Sequence, residues 1–255
     1  MTAGHPEGAP PGPAAPAAPA SSAAPADGPD GPDAEAAGGL ARLLVVGTGS
    51  VAAAHLPFWA GWLRGAHPHL ATRFVLTRSA ERFVTREALT AIGGAPVLRD
   101  RWPDEPQESA PHVDLAQWPQ AVVVHPATFH CVARLALGLA DTPVLLALQC
   151  TSAPVVVAPA LPPGGAESPA YAEHLRRLAG RPGVTVVPPH PGRSTTSGRR
   201  EAWAPAAFPE VVARAAREAA RSRAAADGPR RPPAADGRPV RGREDRASAT
   251  EEECT

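Results

Sequence analysis

The stretch Arg42-Leu43-Leu44-Val45-Val46-Gly47-Thr48-Gly49-Ser50-Val51-Ala52 decides the fold. Its apolar run is short, partly β-branched and ends on glycine, which reads as a buried parallel strand from Arg42 to Thr48. Gly47 and Gly49 let the backbone turn tightly and approach a ligand. The N–H groups that open the next helix, with the Thr48 and Ser50 hydroxyls, then make an anion site.

Working outward, strands and helices alternate. A helix from Ser50 to Arg64, kinked at Pro57, leads to a strand from Ala71 to Thr77 and a helix from Ser79 to Ile92. After a polar, proline-rich stretch, Ala121 to His125 is the clearest strand, followed by a helix from Thr128 to Leu139 and a strand from Pro143 to Leu148. Further strands are expected at Val155–Ala158 and Val184–Val187, with a helix from Ser168 to Leu178 between them. A last helix opens at Phe208. This order predicts one α/β domain with a single doubly wound, mostly parallel sheet flanked by helices. Ligands of such sheets bind beyond the strands' carboxyl ends.

Glycine and proline supply 23 and 33 of the 255 residues, many of them near the two ends. Residues 1–39 carry no aromatic side chain and bury too little to offset an ordering entropy of roughly 1–2 kcal/mol per residue. They read as a disordered tail, as does 223–255, which leaves the domain at 40–222. A signal peptide would need an apolar central run, and a membrane span about 18 apolar residues; neither is seen. The 25 basic and 25 acidic residues cancel, so nothing favours nucleic acid or an anionic membrane as partner. Cys131, Cys150 and Cys254 match no metal-ligand or disulfide spacing, and a reducing cytoplasm is the expected compartment.

Two ligand classes compete for the glycine turn. Gly47, Gly49 and Ala52 fit the G-x-G-x-x-A nicotinamide pattern, but that pattern expects an acid near the end of the second strand. Thr77-Arg78-Ser79 stands there instead. Arg78 would tolerate an NADP phosphate, whereas two hydroxyl-bearing turns at adjacent strand ends suit a single phosphate, as in FMN.

Here the sequence resembles the flavin-dependent cysteine decarboxylases, which include phosphopantothenoylcysteine decarboxylase and the peptidyl-cysteine decarboxylases of lantibiotic and related pathways. Gly47–Ala53 looks like the family's T-G-S-x-A-A turn, and Leu76–Val84 resembles its T-x-S-A-x-x-F-V block. His112–Leu115 is similar to its H-x-x-L, and His125–Leu145 to its P-A-S/T-A-N-T…G-x-A-D-N-L block. Thr195–Arg199 resembles the S-G-R of a substrate loop.

The resemblance implies a Rossmann-like flavoprotein fold, FMN as cofactor, and a homo-oligomer built from trimers with flavins at subunit contacts. It implies a reaction in which the C-terminal cysteine of a ribosomally made peptide is oxidised and loses CO2, leaving an ene-thiol. Gly47, Gly49, Ser50, Thr77 and Ser79 would line the phosphate, and Pro126, Ala127 and Thr128 the flavin ring. His112 would be the active-site histidine, suited to take up a thiol proton, while Ser197 and Arg199 would meet the substrate. The chain departs from the pattern at Phe129, His130 and Thr142. His130 stands at the Asn associated with the substrate carboxylate and is the candidate to replace it. The P-x-M-N segment is not recognisable in Ala158–Pro163, and the loop cysteine of the pantothenate branch is missing, which argues against coenzyme A biosynthesis. A flavin-binding subunit without turnover and an NADP-linked relative remain as alternatives. His125, Cys131 and Cys150 read as buried structural groups, and Trp59, Trp62 and Trp118 as packing.

Overall fold

A computed structural model of the chain describes residues 39–227. The two expected tails lie almost wholly outside the described residues. Six parallel strands form one sheet: β1 (Arg42–Gly47), β2 (Ala71–Leu76), β3 (Leu98–Arg99), β4 (Ala121–Thr128), β5 (Val155–Ala160) and β6 (Val184–Val186). Their spatial order is β3-β2-β1-β4-β5-β6. The order reverses between β1 and β4, so the loops after these two strands diverge and leave a crevice at their carboxyl ends.

Side chains of the central strands alternate between two buried clusters, as the period of two requires. Leu43, Val45, Val123 and Val156 pack on one face beneath α1 (Leu56–Ala66), α2 (Arg86–Gly93) and α7 (Phe208–Asp227). Leu44, Val46, Val122, Val124 and Val157 face the other way, beneath α3 (Pro111–Gln117), α4 (Phe129–Ala136), α5 (Pro143–Cys150) and α6 (Pro169–Ala179). With both faces covered, β4 and β5 need no polar alternation, which is why they stood out in the sequence. Trp59 stacks on Phe208 at 5.5 Å, Trp62 packs on the same cluster, and Trp118 packs on the other face, as expected of packing residues.

Several expectations are corrected. The apolar run Pro143–Leu148 is helix α5, not a strand. Thr142 caps it, accepting from the Leu145 N–H at 3.3 Å, and Pro143 occupies the first turn, where a missing N–H costs nothing. Burial on most of its surface had removed the helical periodicity that separates such a run from a strand. The helix expected from Ser50 is a 3-10 turn (Val51–His55) followed by α1, with Pro57 in the first turn and no kink. The helix expected from Ser79 is a 3-10 turn (Ala80–Arg82), a break, and α2, capped by Thr85 and ended by Gly94 at φ +74°. Strand β3 has two exposed residues and left no signal in the sequence. Helix α7 runs to Asp227, past the domain limit set at 222. Cys150 is exposed rather than buried, because it ends α5. A hairpin, β7 (His190–Gly192) and β8 (Ala202–Ala204), had not been foreseen. Among the described residues no helix is long and apolar enough to cross a membrane.

Candidate active site at the sheet switch point

Gly47 ends β1, and a Cβ there would fall 2.6 Å from Leu56 Cδ1 and 2.8 Å from Leu76 Cδ2. This glycine therefore serves the close packing of α1 on the sheet. Thr48 is 2% exposed. Its hydroxyl donates to the Pro126 carbonyl at 2.6 Å and accepts from the Thr128 N–H at 2.8 Å. It staples the end of β1 to the end of β4, so the expected anion-binding role for this hydroxyl gives way to a structural one. Ser50, too, is spent locally: its Oγ accepts from the Ala52 N–H and caps the 3-10 turn, and the residue does not line the crevice.

The two turns nevertheless meet. Gly49 lies against Ser79, and the Thr77 N–H donates to the Gly47 carbonyl at 3.0 Å. Thr77 Oγ1 and Ser79 Oγ are 3.2 Å apart. Among the described residues, no hydrogen bond uses the N–H of Gly49, Arg78 or Ser79. Beside them opens a crevice of about 620 Å³, whose lining includes Thr77, Arg78, Ser79, Arg82, Thr128 and His130. Neither Arg78 nor Arg82 has an acidic partner among the described residues. Two hydroxyls, two guanidiniums and free backbone N–H groups make a donor set suited to a phosphate.

The far wall of the crevice was not anticipated. Asp100, just past β3, accepts from the Val144 N–H at 3.0 Å and so helps cap α5. Burial raises its carboxyl above the usual range, against the bonds from Val144 and Thr142. Arg134, one turn along α4 from His130, forms an ion pair with Asp141, whose carboxyl it holds down. Cys131 also lines the crevice, and burial pushes its thiol up to about 12, leaving it protonated and a poor nucleophile. Arg134 and Cys131 lay within the block already singled out. Asp100 was hidden because the strand that delivers it is two residues long.

Of the expected site residues, Thr77, Ser79, Thr128 and His130 share the crevice, with Gly47 and Gly49 behind it. Pro126 and Ala127 are buried in β4, adjoining the staple. His130 is exposed. His112 lies on α3 rather than in a loop and does not line the crevice; its Nδ1 is buried without a partner. Ser197 and Arg199 sit in the exposed loop of the β7–β8 hairpin, away from the crevice lining. There the Ser197 hydroxyl donates to Glu201. His125 is structural as expected: Nε2 faces the Ala206 carbonyl at 3.0 Å, and burial lowers its pKa to about 4.

The family model described as Flavoprotein matches residues 35–211. Cypemycin cysteine dehydrogenase (decarboxylating) of a Streptomyces species is 37% identical over 150 residues, which cover 58% of this chain and 76% of that protein. The coenzyme A biosynthesis bifunctional protein CoaBC of Mycobacterium tuberculosis is 38% identical over 123 residues, 48% of this chain and 29% of that one. The crystal structure of the FMN-dependent cysteine decarboxylase TvaF from thioviridamide biosynthesis superposes with a TM-score of 0.58 at 31% identity, covering 72% of this chain and 99% of that chain.

Proposed function

Because the chain belongs to the Flavoprotein family, we propose that it is an FMN-dependent decarboxylase acting on the C-terminal cysteine of a ribosomally synthesised peptide and yielding an ene-thiol. One observation carries the reading: the Gly49 and Ser79 turns meet beside a crevice at the switch point, lined by Thr77, Ser79, Arg78 and Arg82. These groups fit the phosphate of FMN. Bound there, FMN supplies the two-electron oxidation that the decarboxylation requires.

The protein's own groups bind and manage protons. The hydroxyls of Thr77 and Ser79, with the guanidiniums of Arg78 and Arg82, hold the phosphate. Thr128, with Pro126 and Ala127 behind it, forms the wall beside the ring. His130 receives the substrate carboxylate at the crevice mouth, in place of the Asn at the matching position of the family pattern. His112 accepts the thiol proton at Nε2. Since His112 lies outside the crevice of its own chain, a homo-oligomer, trimeric in the simplest case, brings it to a neighbouring crevice, and Ser197 and Arg199 close over the peptide. We assign the activity to the cytoplasm, where a peptide thiol stays reduced.

Purified full-length protein should take up FMN and turn yellow, and peptides ending in cysteine should lose about 46 Da, the mass of CO2 plus two hydrogens. A colourless protein that takes up no FMN would refute the reading. His112→Asn should keep the cofactor and lose turnover by about a hundredfold or more. A second reading, a flavin-binding subunit without turnover, draws on His130 at the Asn position. It would be supported by yellow protein that leaves every cysteine-terminated peptide intact.

A further inference from the structure

We propose that Trp102 is the positioning residue for His112, and that it sets the imidazole's orientation from the corner that also walls the crevice. The inference rests on the proton-accepting role proposed above for His112. Residues 101–109 are all exposed and, apart from Trp102, are polar or proline; Trp102 is a large aromatic that is itself 40% exposed. Burial within the chain does not explain a tryptophan there.

Its contacts are specific. The indole N–H donates to the Asp141 carbonyl at 3.1 Å. Two residues earlier, the Asp100 carboxylate accepts from the Val144 N–H. The segment after β3 is therefore pinned twice to the α4–α5 corner, whose Thr142, Val144 and Leu145 face the crevice. The Trp102 ring then meets the His112 imidazole at 5.6 Å, inclined by 67°.

Among the described residues, no hydrogen bond holds that imidazole. Its Nδ1 is buried without a partner among the described residues, and Trp102 makes the one ring contact to it that they contain. An active histidine is usually oriented by a hydrogen bond on its second nitrogen. Here an aromatic wall, itself anchored through its N–H, takes that place. The anchoring matters because a proton acceptor displaced by even 1 Å loses much of its rate.

The test uses FMN-loaded full-length protein and three variants. Trp102→Leu removes both the ring and the anchor, Trp102→Phe keeps a ring, and His112→Asn identifies the His112 resonance in imidazole NMR spectra by its loss. The expected results are a displaced His112 resonance in Trp102→Leu, and a kcat lowered about tenfold with KM within about twofold. FMN content stays at the wild-type level, and Trp102→Phe, which keeps a ring but loses the anchoring N–H, recovers part of the rate. An unmoved His112 resonance in Trp102→Leu overturns the inference, whether or not any peptide is turned over. So does an equal loss of rate in the Leu and Phe variants. Failure of the wild-type protein to decarboxylate would count against the proposed function alone, because the resonance shift is read without substrate.

Discussion

Gly49 and Ser79 touch: a Cβ placed on Gly49 would fall 2.5 Å from both the Cβ and the Oγ of Ser79. The two residues come from turns after different strands, and their contact lies beside the crevice that Ser79 lines. Gly49→Ala must push the Ser79 turn away. We expect FMN affinity to fall at least about tenfold and stability to drop by about 1–3 kcal/mol, the usual cost of overpacking. Fluorescence titration with FMN and urea unfolding measure both. Adding Ser79→Gly should return much of the stability but not the affinity, since the hydroxyl is then gone.

Thr48 joins β1 to β4 through one hydroxyl that both donates and accepts in a buried site. Thr48→Val keeps the shape and orphans the Thr128 N–H, while the Pro126 carbonyl keeps only the Thr48 backbone N–H at 3.3 Å. One orphaned buried donor weighs about 1–3 kcal/mol, so a loss of about 2 kcal/mol is expected, and Thr48→Ser should recover most of it. Denaturant midpoints for the two variants decide the matter; equal midpoints for Val and wild type would refute the staple.

Asp100 is a carboxylate that the fold would rather hold protonated. With its pKa raised above the unfolded value, its contribution is complete below the unfolded pKa of 3.8 and is lost as pH rises through the folded value. Asp100→Asn keeps an acceptor for the Val144 N–H without burying a charge. It should be at least as stable as wild type at pH 7, whereas Asp100→Ala loses the cap and about 1 kcal/mol. Thermal unfolding of the pair at neutral pH is the measurement.

The sign is reversed at His125. Nε2 must donate to the Ala206 carbonyl, so a second proton would enter at the buried, partnerless Nδ1. Burial is the main cause of a pKa lowered from 6.5 to about 4. The stability held by the neutral ring is complete above pH 6.5 and is lost as pH falls toward 4, by up to about 3 kcal/mol. His125→Gln, which can still donate to Ala206, should flatten the acid limb of the stability profile between those values. An unchanged limb would show that another group governs it.

Much of this was legible in the chain. Strands β1, β2, β4 and β5 and the turn after β1 were readable because buried parallel strands are continuous apolar runs, and glycine punctuates them. The ordered motif blocks point to the Flavoprotein family, and they contain Thr77, Ser79, Thr128 and His130, which line the crevice. Helix α5 was misread because near-complete burial erases the periodicity that distinguishes a helix from a strand.

The amino-acid sequence by itself determined the doubly wound sheet and the glycine turn after its first strand, because burial pattern and backbone freedom are local properties. Only the tertiary structure decided how each polar group is spent. It turned Thr48 and Ser50 inward as a staple and a cap, brought Asp100 from a two-residue strand onto the start of α5, and set His112 against Trp102 outside the crevice. The Thr48 staple and the Asp100 cap depend on hydrogen-bond partners that arrive from residues dozens of positions away, and no local pattern encodes that arrival.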